Sequence, residues 1–160
     1  MIRMATTQDA VQISHIYNYY VARTHVTFEE EPVSVDAMAR RMEGILPALP
    51  WLVWVEQEEV VGFAYACAWK ERSAYRHSVE STIYLRPEVT GKRIGSRLYA
   101  GLLQQLRGRE LHAVIGCIAL PNAASVALHE RLGFGGVGQF REVGRKFGRW
   151  IDVGYWQLLL

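Results

Sequence analysis

Cysteine is scarce in this chain, and its scarcity narrows the possibilities. Only Cys67 and Cys117 occur among 160 residues, each inside an apolar run, Phe63 to Trp69 and Val114 to Leu120. Neither CxxC nor His/Cys spacing accompanies them, so small buried thiols explain them better than a disulfide or a metal site. Charge of one sign is lacking too. The formal net charge is +2 with Lys and Arg scattered along the chain, so the electrostatic footprint of a nucleic-acid or membrane binder is missing. No stretch approaches membrane-spanning length, and no long apolar run follows Met-Ile-Arg-Met-Ala-Thr at the N-terminus, which reads as a cytoplasmic protein. Repeats, low-complexity tracts and linkers are absent. What remains is ordinary globular composition, 50% apolar and 21% charged. At this length one domain spanning residues 1–160 is expected, with a substantial core.

One stretch organises the rest. From Ser81 to Ser96 a run rich in β-branched and aromatic residues is stopped by Pro87, a polar turn carries Gly91, and an amphipathic helix opens at Ile94 and Gly95. A strand, a glycine turn and a helix start together aim backbone N–H groups and a helix dipole at one point, the physical basis of phosphate binding. Upstream, Ile2 to Ala5 can form a short strand. Thr6 and Asp9 have capping-box spacing before a helix with Ile13, Ile16, Tyr17 and Tyr20 on one face. Thr24 to Pro32 reads as a loop. Ser34 can cap a helix striped by Val35, Met38, Met42 and Ile45, which Pro47 and Pro50 end.

Trp51 to Glu56 and Val60 to Trp69 read as a hairpin with an acidic turn, followed by a loop from Lys70 to Tyr75 and a strand from Arg76 to Leu85. After the glycine turn, Ile94, Leu98, Leu102 and Leu106 stripe a helix ending near Gly108. Ala113 to Leu120 has the continuous apolar character of a strand covered on both faces. Asn122 can cap a further helix with Ala124, Ala127, Leu128 and Leu132 inward, closed at Gly133. Strands from Gly138 to Val143 and Asp152 to Leu159 flank a basic loop, Arg141 to Arg149, which fits a solvated turn or an anionic ligand site equally. The order is mixed α/β.

This order, with its glycine turn, resembles the GNAT superfamily of acetyl-CoA-dependent N-acetyltransferases. Within it the chain is similar to the phosphinothricin and methionine sulfoximine acetyltransferase family. The narrower resemblance rests on Thr27-Phe28-Glu29, Ala74-Tyr75-Arg76-His77-Ser78-Val79-Glu80, Pro121-Asn122-Ala123-Ala124-Ser125, Leu128-His129-Glu130-Arg131-Leu132-Gly133-Phe134 and Val143-Gly144-Arg145-Lys146-Phe147-Gly148-Arg149-Trp150. It covers nearly the whole chain in order. It implies an α/β (α+β) GNAT-like domain, with a mixed, mostly antiparallel sheet of about seven strands flanked by about four helices, in a homodimer. It also implies acetyl-CoA as co-substrate, no metal, and a small amine or amino acid as acceptor.

Carried over residue by residue, the superfamily's pyrophosphate pattern Gln/Arg-x-x-Gly-x-Gly/Ala covers Thr90, Gly91, Lys92, Arg93, Ile94 and Gly95, with Ser96 next in the helix. Thr90 stands where Gln or Arg is usual and Arg93 where glycine is usual. A side chain is tolerable there if φ stays negative, and the binding N–H groups belong to the backbone. Arg93 adds a charge-assisted phosphate contact or is solvated. Ile83, Tyr84 and Leu85 would line the pantetheine arm. Asn122 and Ser125 resemble polar coenzyme contacts, and both are equally good capping residues.

Glu80 resembles the family's base. A carboxylate in an otherwise uncharged strand gains a raised pKa on burial, unless it pairs with Arg76 or faces solvent. His129 occupies the place where many members carry a tyrosine that protonates the departing thiolate; the other reading is a structural histidine. Arg72 and Arg76 could bind a carboxylate, Phe28 and Tyr75 could wall the acceptor pocket, and Lys146 and Trp150 could close it. The function implied is direct acetyl transfer to the α-amino group of a small amino acid, with no cysteine carrier. Acetylation of another amine (an aromatic amine, a polyamine or a protein N-terminus) and a non-catalytic acyl-CoA sensor are the alternatives.

Overall fold

Local signals place the N-terminal half closely in the computed structural model, which describes residues 1–160. Strand β1 (Ile2–Met4) leads into a single 3₁₀ turn and helix α1 (Ala10–Arg23). The Thr6 backbone N–H donates to the Asp9 carboxylate at 2.8 Å, and Arg3 grips the same carboxylate. Helix α2 (Val35–Ile45) starts where Ser34 Oγ accepts from the Ala37 N–H at 3.1 Å. Strands β2 (Trp51–Glu56) and β3 (Glu59–Ala68) follow. Gln57 and Glu58 both take positive φ between them, the twist a two-residue hairpin needs.

Strand β4 (Ser78–Leu85), helix α3 (Ile94–Arg107), strand β5 (Ala113–Ala119), helix α4 (Ala123–Arg131) and the long hairpin β6 (Gly135–Lys146) and β7 (Arg149–Leu159) complete the chain. The seven strands form one sheet in the order β1-β2-β3-β4-β5-β7-β6. All neighbours are antiparallel except β4 and β5, which run parallel.

Alternation along β2 supplies both faces of the sheet. Leu52 and Trp54 point to a cluster with Leu98, Leu102 and Leu106 of α3, whereas Trp51 and Val53 point to Ile13, Ile16, Met38 and Met42 of α1 and α2. Burying each leucine of the α3 stripe contributes about 1.5–3 kcal/mol, so α3 is fixed by its apolar face. No helix is long and apolar enough to cross a membrane.

Four sequence expectations need correction. Strand β4 starts at Ser78, so Arg76 lies outside it, closing a 3₁₀ turn over Ser73–Tyr75. The basic stretch Arg141 to Arg149 is mostly strand, with the hairpin turning at Phe147 and Gly148, both at positive φ. Its exposed faces and glycines hid the strand pattern. Ala124 and Ala127 of α4 are exposed rather than core-facing. Cys117 is exposed too, since β5 loses one neighbour beyond Gly116.

Candidate functional site

Parallel strands β4 and β5 stay paired for only four residues each, Ser78–Ser81 against Ala113–Gly116. Beyond them β4 continues on β3 and β5 continues on β7, but the two part from each other. A cleft of about 720 Å³ opens in the gap, bounded by α3, α4 and the loop after α1. One side of Thr82–Leu85 keeps backbone groups that no strand satisfies, and Ile83, Tyr84 and Leu85 line the cleft there.

At the open end sits the glycine turn. Thr90, Gly91, Arg93, Gly95 and Ser96 line the cleft. Lys92 is exposed outside it, and the Ile94 side chain turns into the core with 4% exposure. Gly91 takes φ +79. Contrary to the negative φ expected of it, Arg93 is also left-handed, at φ 62 and ψ 9. An L-residue held there costs about 1–2 kcal/mol relative to glycine. Gly95 permits a close approach, because a Cβ at that position would lie 3.3 Å from Leu85 and 3.8 Å from Leu128 of α4. Asn122 Oδ1 accepts from the Ser125 N–H at 3.2 Å, so Asn122 caps α4 while both residues line the cleft.

Glu80 stands at the crotch. It lies opposite Cys67 of β3 and Ile115 of β5, on the last paired rungs, and its side chain faces the cleft. Desolvation raises its carboxyl pKa, partly opposed by the nearby Lys70 ammonium. Arg76 is not its partner, since that guanidinium donates to the Ser73 carbonyl at 3.2 Å. Glu80 belongs to none of the chain's ion pairs. Cys117 also lines the cleft; desolvation by the cleft walls and the Glu80 charge push its thiol pKa up, although the residue is exposed at the cleft surface.

His129 is buried beside Glu80's strand in a chain of hydrogen bonds. Its Nδ1 lies 2.8 Å from the Ser125 carbonyl, which can only accept, so Nδ1 carries the proton. Nε2 must then accept from the Tyr99 hydroxyl at 3.0 Å, and Tyr99 in turn accepts from Ser81 Oγ at 2.6 Å. Gly116 makes room for the ring, since a Cβ there would lie 2.5 Å from it. Burial depresses the imidazole pKa, favouring the neutral form. Both nitrogens are engaged, and the ring lines the cleft. Sequence reasoning missed Tyr99 and Ser81; a hydroxyl-tipped residue in the leucine stripe of α3 was the available signal.

The loop after α1 roofs the cleft with Thr27 and Phe28, and Tyr17, Tyr65 and Tyr84 line it there as well. The loop is tied from several directions. Tyr17 and Thr27 share a hydrogen bond at 2.6 Å, Arg41 pairs with Glu29, and the Phe28 ring fills the space a side chain at Gly144 would need. Lys146 completes the set. It is 2% exposed, its Nζ donates to the Thr27 carbonyl at 2.8 Å, and burial lowers its pKa against the pull of Glu30 and Glu29. Lys146 therefore holds the roof instead of lining the pocket. Arg72, Tyr75, Arg76 and Trp150 are exposed and lie outside the cleft lining of this chain. No cluster of three metal-ligating side chains occurs.

A desolvated carboxylate at the crotch of a splayed sheet, with a phosphate-type turn at the open end, is the layout of a group-transfer enzyme using a long phosphorylated donor. Residues 2–154 match the acetyltransferase (GNAT) domain family, and the chain belongs to it. It is 39% identical to a phosphinothricin N-acetyltransferase of Streptomyces viridochromogenes, over 98% of this chain and 85% of that one. It is 37% identical to an L-methionine sulfoximine/L-methionine sulfone acetyltransferase of Pseudomonas paraeruginosa, over 99% and 94%. Among solved structures, a GNAT superfamily phosphinothricin acetyltransferase from Sinorhizobium meliloti in complex with AcCoA superposes with a TM-score of 0.97 at 36% identity, covering 100% of this chain and 88% of that one. The mixed sheet and four helices are those of the family.

Proposed function

We propose that this protein transfers the acetyl group of acetyl-CoA to the α-amino group of a small amino acid or analogue of the phosphinothricin or methionine sulfoximine type. The observation that carries the reading is Glu80, an unpaired, desolvated carboxylate where the cofactor arm meets the tyrosine-walled acceptor pocket. The backbone N–H groups of the glycine turn receive the pyrophosphate, and the unpaired backbone groups of Thr82–Leu85, apart from the Leu85 carbonyl, which accepts from the Tyr20 hydroxyl at 2.6 Å, receive the pantetheine amides. Glu80 removes a proton from the ammonium, directly or through one water. The freed nitrogen lone pair attacks the thioester carbonyl and the C–N bond forms; the nitrogen then gives up its second proton to water as the C–S bond breaks, and coenzyme A leaves as a thiolate that takes a proton from solvent. Both substrates are bound together. A protonated Cys117 is a weak nucleophile, which supports direct transfer over a covalent acetyl intermediate.

The named relatives support the acceptor class. Exposed Val137, Phe140, Val143, Phe147 and Trp150 on the β6–β7 hairpin support a homodimer through that face, bringing Trp150 toward a neighbouring cleft. Two free cysteines agree with a cytoplasmic setting. Thiol release from acetyl-CoA, measured over a panel of amines, is the test. Release with phosphinothricin, methionine sulfoximine and methionine sulfone is expected. Release only with aromatic amines, polyamines or peptide N-termini would reassign the acceptor, and acetyl-CoA binding without release from any amine would make the protein a sensor.

A further inference from the structure

Resting on the acetyl-CoA reading, we propose that Arg93 and Arg131 together bind the 3′-phosphate on the ribose of coenzyme A, and so select acetyl-CoA over donors lacking that group. The cleft lining contains no lysine, and these two are its only arginines. They stand on opposite walls of its open end, Arg93 before the first turn of α3 and Arg131 as the last residue of α4. The α4 wall is one helical face, Ala124, Ala127, Leu128 and Arg131, at the spacing of neighbours on successive turns. Leu128 crosses over Gly95, and Arg131 lies one turn, about 5 Å, further along that face. Both residues therefore line the cleft beside the glycine turn.

Neither takes part in the chain's ion pairs, which use Arg3, Arg41 and Arg86. With the pyrophosphate held by backbone N–H groups, the remaining anion of coenzyme A is the 3′-phosphomonoester. A planar guanidinium fork matches its oxygens, and the small Ala124 and Ala127 leave room beside it. The departure of Arg93 from glycine thus supplies a charge at the site.

The experiment compares KM for acetyl-CoA and acetyl-dephospho-CoA in the wild type, R131A and R93G/R131A, with a fixed acceptor. We expect the wild type to favour acetyl-CoA at least tenfold in KM. In the variants, the KM for acetyl-CoA should rise to the dephospho value, with the KM for acetyl-dephospho-CoA unmoved. R93G restores the residue its backbone favours, and thermal unfolding followed by circular dichroism reports independently whether each variant remains folded. Equal use of both donors by the wild type overturns the proposal, as does parallel loss of both donors in the variants, which would put the arginines on the pyrophosphate. Transfer from neither donor by the wild type refutes the acetyl-CoA reading itself.

Discussion

Tyr99→Phe removes one oxygen atom from the middle of the buried chain that holds His129. The ring remains, and so do its stack on Phe134 at 5.7 Å and its edge contact with His129 at 5.1 Å. The loss therefore isolates the hydroxyl. Two buried groups become unpaired, His129 Nε2 and Ser81 Oγ, and only the second has a fallback, a longer bond to the Ile115 carbonyl at 3.4 Å. At about 1–3 kcal/mol for each unsatisfied buried group, with Ser81 near the low end, the variant should lose about 2–4 kcal/mol. For a domain of this size that is roughly 5–15 °C in Tm.

A pH signature accompanies the loss. His129 has a folded pKa below its ordinary 6.5, so its contribution to stability is complete above 6.5 and disappears as pH falls through the depressed value. Removing the donor to Nε2 weakens the neutral form and moves that pKa back up. The penalty of Tyr99→Phe should therefore be greatest at about pH 7.5 and shrink toward about pH 5. Thermal unfolding followed by circular dichroism at both pH values measures it. A shift under about 2 °C at the higher pH, or a penalty equal at both, would refute the assigned hydrogen-bond direction.

Glu80→Gln should lower kcat by roughly 10²–10⁴ near neutral pH, with the deficit narrowing as pH rises and free amine becomes available without a base; an unchanged pH–rate profile removes Glu80 from the chemistry. Lys146→Met leaves the Thr27 carbonyl without its donor, so KM for the acceptor should rise several-fold while KM for acetyl-CoA holds, and equal changes in both would detach Lys146 from the roof. Cys117→Ser should keep turnover within about threefold, because the thiol has no acetyl to carry. Trapping a labelled acetyl group on the wild-type enzyme, but not on that variant, would contradict direct transfer.

Sequence patterns reached the elements whose stability is written in their own residues. The leucine stripe of α3, the Ser34 cap of α2 and the Asn122 cap of α4 are local features with local physics. The desolvation of Glu80 is legible because a charge inside an otherwise uncharged strand segment is costly to bury. What the sequence concealed is set through space. Lys146 appears as one cation among several until Thr27, more than a hundred residues earlier, is seen beneath it. The hydrogen bonding of His129 depends on Tyr99, a residue indistinguishable by spacing from the core leucines around it. The middle of β6, Gly138 to Val143, reads as a strand, but its extension through Lys146 does not, because glycines and exposed faces blur alternation there, and Arg76 reads as strand, although it falls outside β4, because a 3₁₀ turn has no strong period of its own.

Strands β4 and β5 parting after four rungs has a consequence beyond making room. The sheet acquires an edge in its interior, and edges are where foreign strands add. Here the exposed rungs are too few to template a strand, and the roof loop, α4 and the aromatic floor crowd them. A thin, amide-bearing chain can enter where a polypeptide cannot. The fold thus turns a general hazard of β-structure into a filter for ligand thickness.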